Sequence, residues 1–345
     1  MTLKLKRYYL HSSISAQMEL LKGLLRVGTK ALPRADRRVG DQRTSNDAAS
    51  SVLRSPSDSD PPNPITSDPS PPLLDGIKVW YDCPDATIDI CFVHGLTGNR
   101  DSTWTASKQS TPWPTKLLPS KLPRARLLTW GYDAYVVPAS VASKNRLTDH
   151  AQNLLIDLTN DRASCNASGR PFIFVAHSLG GLVCKEAILS SRNNPEPHLC
   201  DVFEHTTGII FMGTPHRGSW MADWMKIPAS GLGVLKSTNK SLLHVLGTDD
   251  QILESIQVRF WSMVREQRES GRRLEITCFF EELPLLVVGQ VVSKESATLE
   301  GYTSVSVHAN HRDMVKFRTE NDSGFKRLVG DLMRWQGKTR SMTSA

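Results

Sequence analysis

Three residue types in this chain have the chemistry of nucleophilic catalysis and occur in a usable order. They are a serine in a glycine-containing turn, carboxylates after an apolar run, and histidines near the C-terminus. The serine is Ser178, within Pro171-Phe172-Ile173-Phe174-Val175-Ala176-His177-Ser178-Leu179-Gly180-Gly181-Leu182-Val183. An apolar strand leads into the turn and a helical segment follows at once. In that context a strained turn lifts a serine hydroxyl above the sheet. The positions two before and two after the serine must be small, because strand and helix pass close together there. Gly180 fills the second, and Ala176 stands where the strict motif has glycine. The pentapeptide alone arises by chance in roughly one chain in four of this length, given the frequency of glycine. Strand, second glycine and helix supply the specificity.

A serine hydroxyl needs a base, and an imidazole titrates near neutrality, so it can take the proton and return it to a leaving group. Triads on strand–turn–helix scaffolds of this kind run in the order serine, acid, histidine. His308 and His311 both qualify by position, on a loop after a short final strand at 304–307. His216, in Gly213-Thr214-Pro215-His216, is a rival base, and His177 reads as a packing or hydrogen-bonding residue at the turn. Upstream, Cys91-Phe92-Val93-His94-Gly95-Leu96-Thr97-Gly98 is a strand ending in a glycine-containing loop. Such a loop supplies one backbone N–H to a developing oxyanion, and the residue after the nucleophile supplies the other. Leu96 is the first choice in the loop, Gly95 the next, and Leu179 is the second donor. For the acid, the apolar run 274–280 ends in adjacent carboxylates, Glu281 and Glu282. Neighbours on an extended chain point to opposite sides, so only one of them faces the histidine.

These residues need a scaffold, and the chain from about Leu73 to Trp335 has one. Short apolar runs at 87–93, 126–128, 171–176, 207–212 and 274–280 alternate with stretches of helical period. That alternation predicts an α/β domain over residues 73–336, with a mostly parallel sheet covered by helices and no internal repeat. Between Ser219 and Ile256 there is length for a helical cap. Trp220 and Trp224, like Met221 and Met225, are spaced to share a helix face, which would suit an apolar acyl group or simply pack on the sheet. Residues 337–345 read as a C-terminal tail.

The segment before this domain is different in kind. Residues 44–72 are rich in Ser, Asp, Pro and Asn, with Ser57-Asp58-Ser59-Asp60-Pro61-Pro62 at their centre, a composition that predicts a disordered linker. Residues 1–43 are basic, with Ile14, Met18, Leu21 and Leu25 at helical spacing. Such an amphipathic segment fits mitochondrial targeting or a helix lying on an anionic membrane surface. Residues 1–45 carry ten Lys or Arg against three Asp or Glu, which is the whole of the chain's formal charge of +7. The remaining 300 residues are therefore near neutral, which gives no reason to expect a nucleic-acid partner. No apolar run approaches the roughly 18 residues of a membrane span, and no secretory signal precedes the domain. The six cysteines form no CxxC pair and no metal-like cluster, so reduced thiols in an intracellular protein are expected.

Several stretches together resemble a known group. They are His94-Gly95-Leu96-Thr97-Gly98 with Thr103-Trp104, then Trp113-Pro114, then Arg126-Leu127-Leu128-Thr129-Trp130-Gly131-Tyr132-Asp133. After them come Ala176-His177-Ser178-Leu179-Gly180-Gly181, then Gly213-Thr214-Pro215-His216-Arg217-Gly218-Ser219, then Asn310-His311-Arg312-Asp313-Met314-Val315-Lys316-Phe317. The ordered set, spanning about 76–335, resembles the lipase-like serine esterases of the serine-active-site-containing protein group and their stand-alone fungal relatives. The resemblance implies an α/β-hydrolase fold and a role in lipid ester chemistry, often at a membrane or in mitochondria, with a cytoplasmic location as the alternative. It selects His311, directly before Arg312-Asp313-Met314, as the base. Its pattern of two apolar residues, Glu, a variable residue and Leu-Pro maps onto Phe279-Phe280-Glu281-Glu282-Leu283-Pro284, which makes Glu281 the acid. It gives the His216 segment to the end of a strand and the pocket rim.

The expected protein is therefore a serine hydrolase that needs neither metal nor cofactor and acts on a small-molecule or lipid ester. Ser178 attacks, His311 shuttles the proton, Glu281 orients His311, and the N–H groups of Leu96 and Leu179 hold the oxyanion. An acyltransferase on the same triad is one alternative. A non-catalytic interaction or signalling module that keeps the fold is the other.

Overall fold

The computed structural model describes residues 75–96, 98–132, 146–217, 250–286 and 289–343. Within them, strands β1 (Gly76–Tyr81), β2 (Ile88–Val93), β3 (Ala125–Gly131), β4 (Phe172–His177), β5 (Thr206–Met212), β6 (Glu275–Glu281) and β7 (Thr303–Val307) form one sheet. Their spatial order is β1-β3-β2-β4-β5-β6-β7. β1 is antiparallel to β3, and every other neighbouring pair is parallel. The described helices are α1 (Trp113–Leu117), α2 (Arg146–Ser164), α3 (Gly180–Arg192), α4 (Pro197–His205), α5 (Asp250–Glu269), α6 (Lys294–Ala297) and α7 (Ser323–Thr343).

β2, β3 and β4 are buried along their whole length. A strand covered on both faces reads as a continuous apolar run, which is why these three are plain in the sequence. Alternate residues of β4 serve opposite faces. Phe172, Phe174 and Ala176 pack under α2, α3 and α5, with Leu154, Val183 and Phe260. Ile173 and Val175 pack on the other side with Trp113 of α1 and Phe325, Leu328 and Trp335 of α7. α3 is buried nearly all round, including Lys185 and Glu186.

Near its N-terminal end, the interior strand β2 holds a fully buried carboxylate. Asp89 accepts from Arg162 Nη1 at 2.8 Å and from Arg170 Nη1 at 2.7 Å. Arg162, also fully buried, donates to Asp201 at 3.0 Å and to the Arg170 carbonyl at 2.8 Å. Burial raises the Asp89 pKa while the two guanidinium groups pull against it. With its partners in place this network pins α2 and α4 to the sheet, and removing one partner would leave a buried charge uncompensated.

Two features depart from the sequence reading. β1 is absent from the apolar runs because its register slips between Val79 and Tyr81, so its burial follows neither alternation nor a continuous run. α7 continues to Thr343, beyond residue 336 where the domain was expected to end, and Lys338 in this extension bonds Glu275 at 2.6 Å. The segment 1–43, the linker 44–72 and the cap residues Trp220, Met221, Trp224 and Met225 lie outside the described residues.

Candidate active site

The sheet order, its single antiparallel edge strand and its helices on both faces are those of the α/β-hydrolase fold. Chemistry in such a sheet is expected at the C-terminal ends of the strands. There β4 passes into α3 through Ser178, whose φ is +53°. That left-handed conformation is uncommon for a residue with a side chain and costs on the order of 1–3 kcal/mol, which the surroundings must supply. They do so through the bond from the Ser178 N–H to the Met212 carbonyl at 2.9 Å and that from the Gly181 N–H to the Ser178 carbonyl at 3.1 Å. Packing tightens the turn further. A Cβ on Gly180 would lie 2.3 Å from the His94 carbonyl oxygen, and one on Gly95 would lie 2.6 Å from Ser178 Cβ. Neither position has room for a methyl. Ala176, where the strict motif has glycine, points into the core under α3, so its methyl is accommodated. Ser178 is 2 % exposed, and its Oγ has no hydrogen-bond partner among the described residues.

The loop after β2 lies directly against the serine. His94 is fully buried, and burial takes its imidazole down to about 4, so the ring is neutral. A neutral ring has one N–H and one lone pair, and both are used. Nδ1–H donates to the Gly95 carbonyl at 2.8 Å, and Nε2 accepts the Tyr132 N–H at 3.3 Å. The Tyr132 hydroxyl returns a bond to the His94 carbonyl at 3.2 Å, with the two rings stacked at 4.5 Å. The Gly95 carbonyl also accepts the Gly98 N–H at 3.2 Å, closing the turn that carries Leu96. Neither the Leu96 nor the Leu179 N–H donates to a described residue.

His311 follows β7 and Glu281 ends β6. The structure brings them together: His311 Nδ1–H donates to Glu281 Oε2 at 2.7 Å, with both side chains buried. The other carboxylate oxygen accepts the N–H groups of Val291 at 2.5 Å and Val292 at 3.2 Å. With Nδ1 protonated, Nε2 carries the ring's lone pair. Glu282 points the opposite way and bonds the exposed His308 at 2.9 Å. His177 ties the two halves of the site, donating from Nε2 to the His311 carbonyl at 3.0 Å, with the rings 4.9 Å apart. Burial holds His177 well below the usual histidine range, as does the neighbouring His311. Leu96, Leu179, Leu182, Phe280, Val291 and Val292 belong to one apolar cluster at this end of the sheet.

His216 does not join this group. It is buried, and its Nδ1 is engaged by Lys185. The braces supplied by His94, Tyr132, Val291 and Val292 were not singled out from the sequence. The two valines act through backbone N–H groups, which leave no signature in residue type.

No family model matches the chain. It is similar to Protein SERAC1 of Bos taurus and of Homo sapiens, each 25% identical over 263 residues, covering 70% of this chain and 38% of the relative. The chain thus spans well under half the length of the curated relatives it matches. Among solved structures, Bacillus licheniformis lipase BlEst2 is 17% identical over 74% of this chain and 95% of its own, with a TM-score of 0.43. A soluble variant of monoglyceride lipase from Saccharomyces cerevisiae is 12% identical over 76% and 91%, with a TM-score of 0.39.

Proposed function

We propose that the protein is a serine hydrolase that cleaves an ester of an apolar acyl group through an acyl-enzyme. The observation that carries this reading is the strained Ser178 turn tied, through the His177 bond to the His311 carbonyl, to a histidine whose Nδ1–H is held by Glu281. In the proposed reaction His311 Nε2 takes the Ser178 proton as Oγ attacks the ester carbonyl. The charge that gathers on the carbonyl oxygen is received by the N–H groups of Leu96 and Leu179, donors that need not reorganise as it forms. Glu281 stabilises the resulting imidazolium. The ring then gives its proton to the departing alcohol, and water, activated by the same histidine, releases the acid. An acyl acceptor in place of water would make the same residues an acyltransferase.

The apolar cluster beside the serine supports an acyl group as the recognised part of the substrate. A panel of p-nitrophenyl esters and phospholipids assayed with the purified protein tests this. We expect turnover of at least one ester, with kcat/KM rising as the acyl chain lengthens from acetyl. Absence of turnover across the panel would argue against hydrolysis, and release of transesterified product with an added alcohol would favour acyl transfer.

We read the basic segment 1–43 as the part that delivers the protein to mitochondria or an anionic membrane surface. Among the described residues no helix is long and apolar enough to cross a membrane. A fluorescent reporter fused to residues 1–45 is expected to leave the diffuse pool. A reporter that stays diffuse contradicts the assignment.

A further inference from the structure

Behind the serine turn, α3 carries a lysine that no described carboxylate pairs with. Lys185 is fully buried, seven residues after Ser178. Its Nζ donates to Nδ1 of His216 at 2.6 Å and to Oε1 of Gln257 at 2.5 Å. It also faces the rings of Phe211 and Phe260, at 5.1 and 5.2 Å from their centroids. Because His216 accepts at Nδ1, its own N–H is on Nε2, directed at Cys278 Sγ 3.7 Å away. Every partner is neutral, and no described carboxylate pairs with the lysine. Glu186, next on α3, is committed to Arg259 at 2.7 Å. A buried ammonium in such surroundings either gives up its proton or attracts an anion.

Two of the lysine's partners, His216 and Gln257, line a cavity of about 400 Å³ whose other walls include Arg217, Trp261, Leu299 and Glu300. The Gln257 amide oxygen is taken by Lys185, which leaves its two N–H donors for other partners. Arg217 is exposed and makes no ion pair among the described residues. The polar side of the cavity therefore offers an amide and a guanidinium, backed by the buried ammonium, and the remaining wall offers an indole and a leucine. Glu300, exposed at the edge, opposes a second negative charge.

We propose that this cavity is a binding site for a small organic monocarboxylate, its oxygens held by the Gln257 amide and the Arg217 guanidinium and its charge balanced by Lys185. The apolar body lies against Trp261 and Leu299. Glu300 selects against a dianion such as phosphate. Burial pulls Lys185 down to about 7, so it is partly deprotonated near neutral pH and an arriving carboxylate draws a proton onto it. His216, held well below the usual histidine range by burial and by Lys185, does not compete for that proton. Cys278, pushed up to about 12 by burial, stays a neutral thiol.

The test is calorimetric titration of the full chain with hexanoate, near neutral pH, in two buffers of different ionisation enthalpy. It needs no turnover, so it stands apart from the reading of Ser178. We expect saturable binding with net proton uptake, unchanged in Ser178→Ala and weakened about ten-fold or more in Gln257→Leu and in Arg217→Gln, as loss of a charge-assisted bond implies. Lys185→Met should abolish the uptake. Should that variant fail to fold, Arg217→Gln, at the exposed mouth, carries the test alone. Hexanol and inorganic phosphate should bind about ten-fold more weakly or worse. The proposal is overturned if hexanoate does not saturate, if hexanol binds as well, or if labelling Ser178 with a fluorophosphonate removes the binding, which would put hexanoate beside the serine.

Discussion

Ser178→Ala is expected to lower ester turnover by about a million-fold, the scale on which losing the nucleophile of a serine hydrolase acts, with no loss of thermal stability. The stability half follows from the surroundings of the side chain. Ser178 Oγ is buried without a described hydrogen-bond partner, so removing it breaks no bond and relieves a buried polar atom. Alanine bears the same strain at φ +53° as serine, and the two backbone bonds that hold the turn do not involve the side chain. The melting temperature should be equal to or slightly above that of the parent. A large fall in melting temperature would mean that the hydroxyl is structural, and full activity in a folded variant would rule out Ser178 as the nucleophile.

Glu281→Gln is expected to cost about ten-thousand-fold in kcat, and Glu282→Gln almost nothing. The first substitution keeps the size of the side chain and changes the proton arrangement. The carboxylate accepts three N–H groups, from His311, Val291 and Val292. An amide oxygen can replace Oε1 toward the two valines, which turns the NH₂ group toward His311. Nδ1 must then accept, the ring proton moves to Nε2, and the nitrogen that should receive the serine proton already carries one. The charge that would stabilise the imidazolium is also lost. Glu282 forms an exposed pair with His308, and such pairs are worth little. Kinetics on the two single variants separate these cases. Loss in the second variant alone would shift the assignment by one residue, and two active variants would discard it.

Much of this arrangement is legible in the sequence because it depends on local chain geometry. The turn at Ser178 announces itself by an apolar strand, small residues and a helix start within thirteen positions. The opposite facing of Glu281 and Glu282 follows from the alternation of an extended chain, and the structure has one carboxylate buried with His311 and the other exposed with His308. What sequence reading misses is pairing between distant residues. Nothing near Asp89 signals that Arg162 and Arg170 will meet it, and nothing near Lys185 signals His216 and Gln257. A buried charge looks like a surface charge until the elements around it are assembled. β1 escapes for another reason, since its shifted register erases the period that marks a strand.

Covalent labelling tests whether Ser178 is a nucleophile activated by His311. A fluorophosphonate reacts with a serine whose hydroxyl has a base at hand and leaves unactivated serines alone. The purified protein is incubated with the probe, digested, and the modified peptide sequenced by mass spectrometry. One modified serine, Ser178, is expected, with labelling lost in His311→Ala. No labelling of the folded protein, or labelling of a different serine, would contradict it.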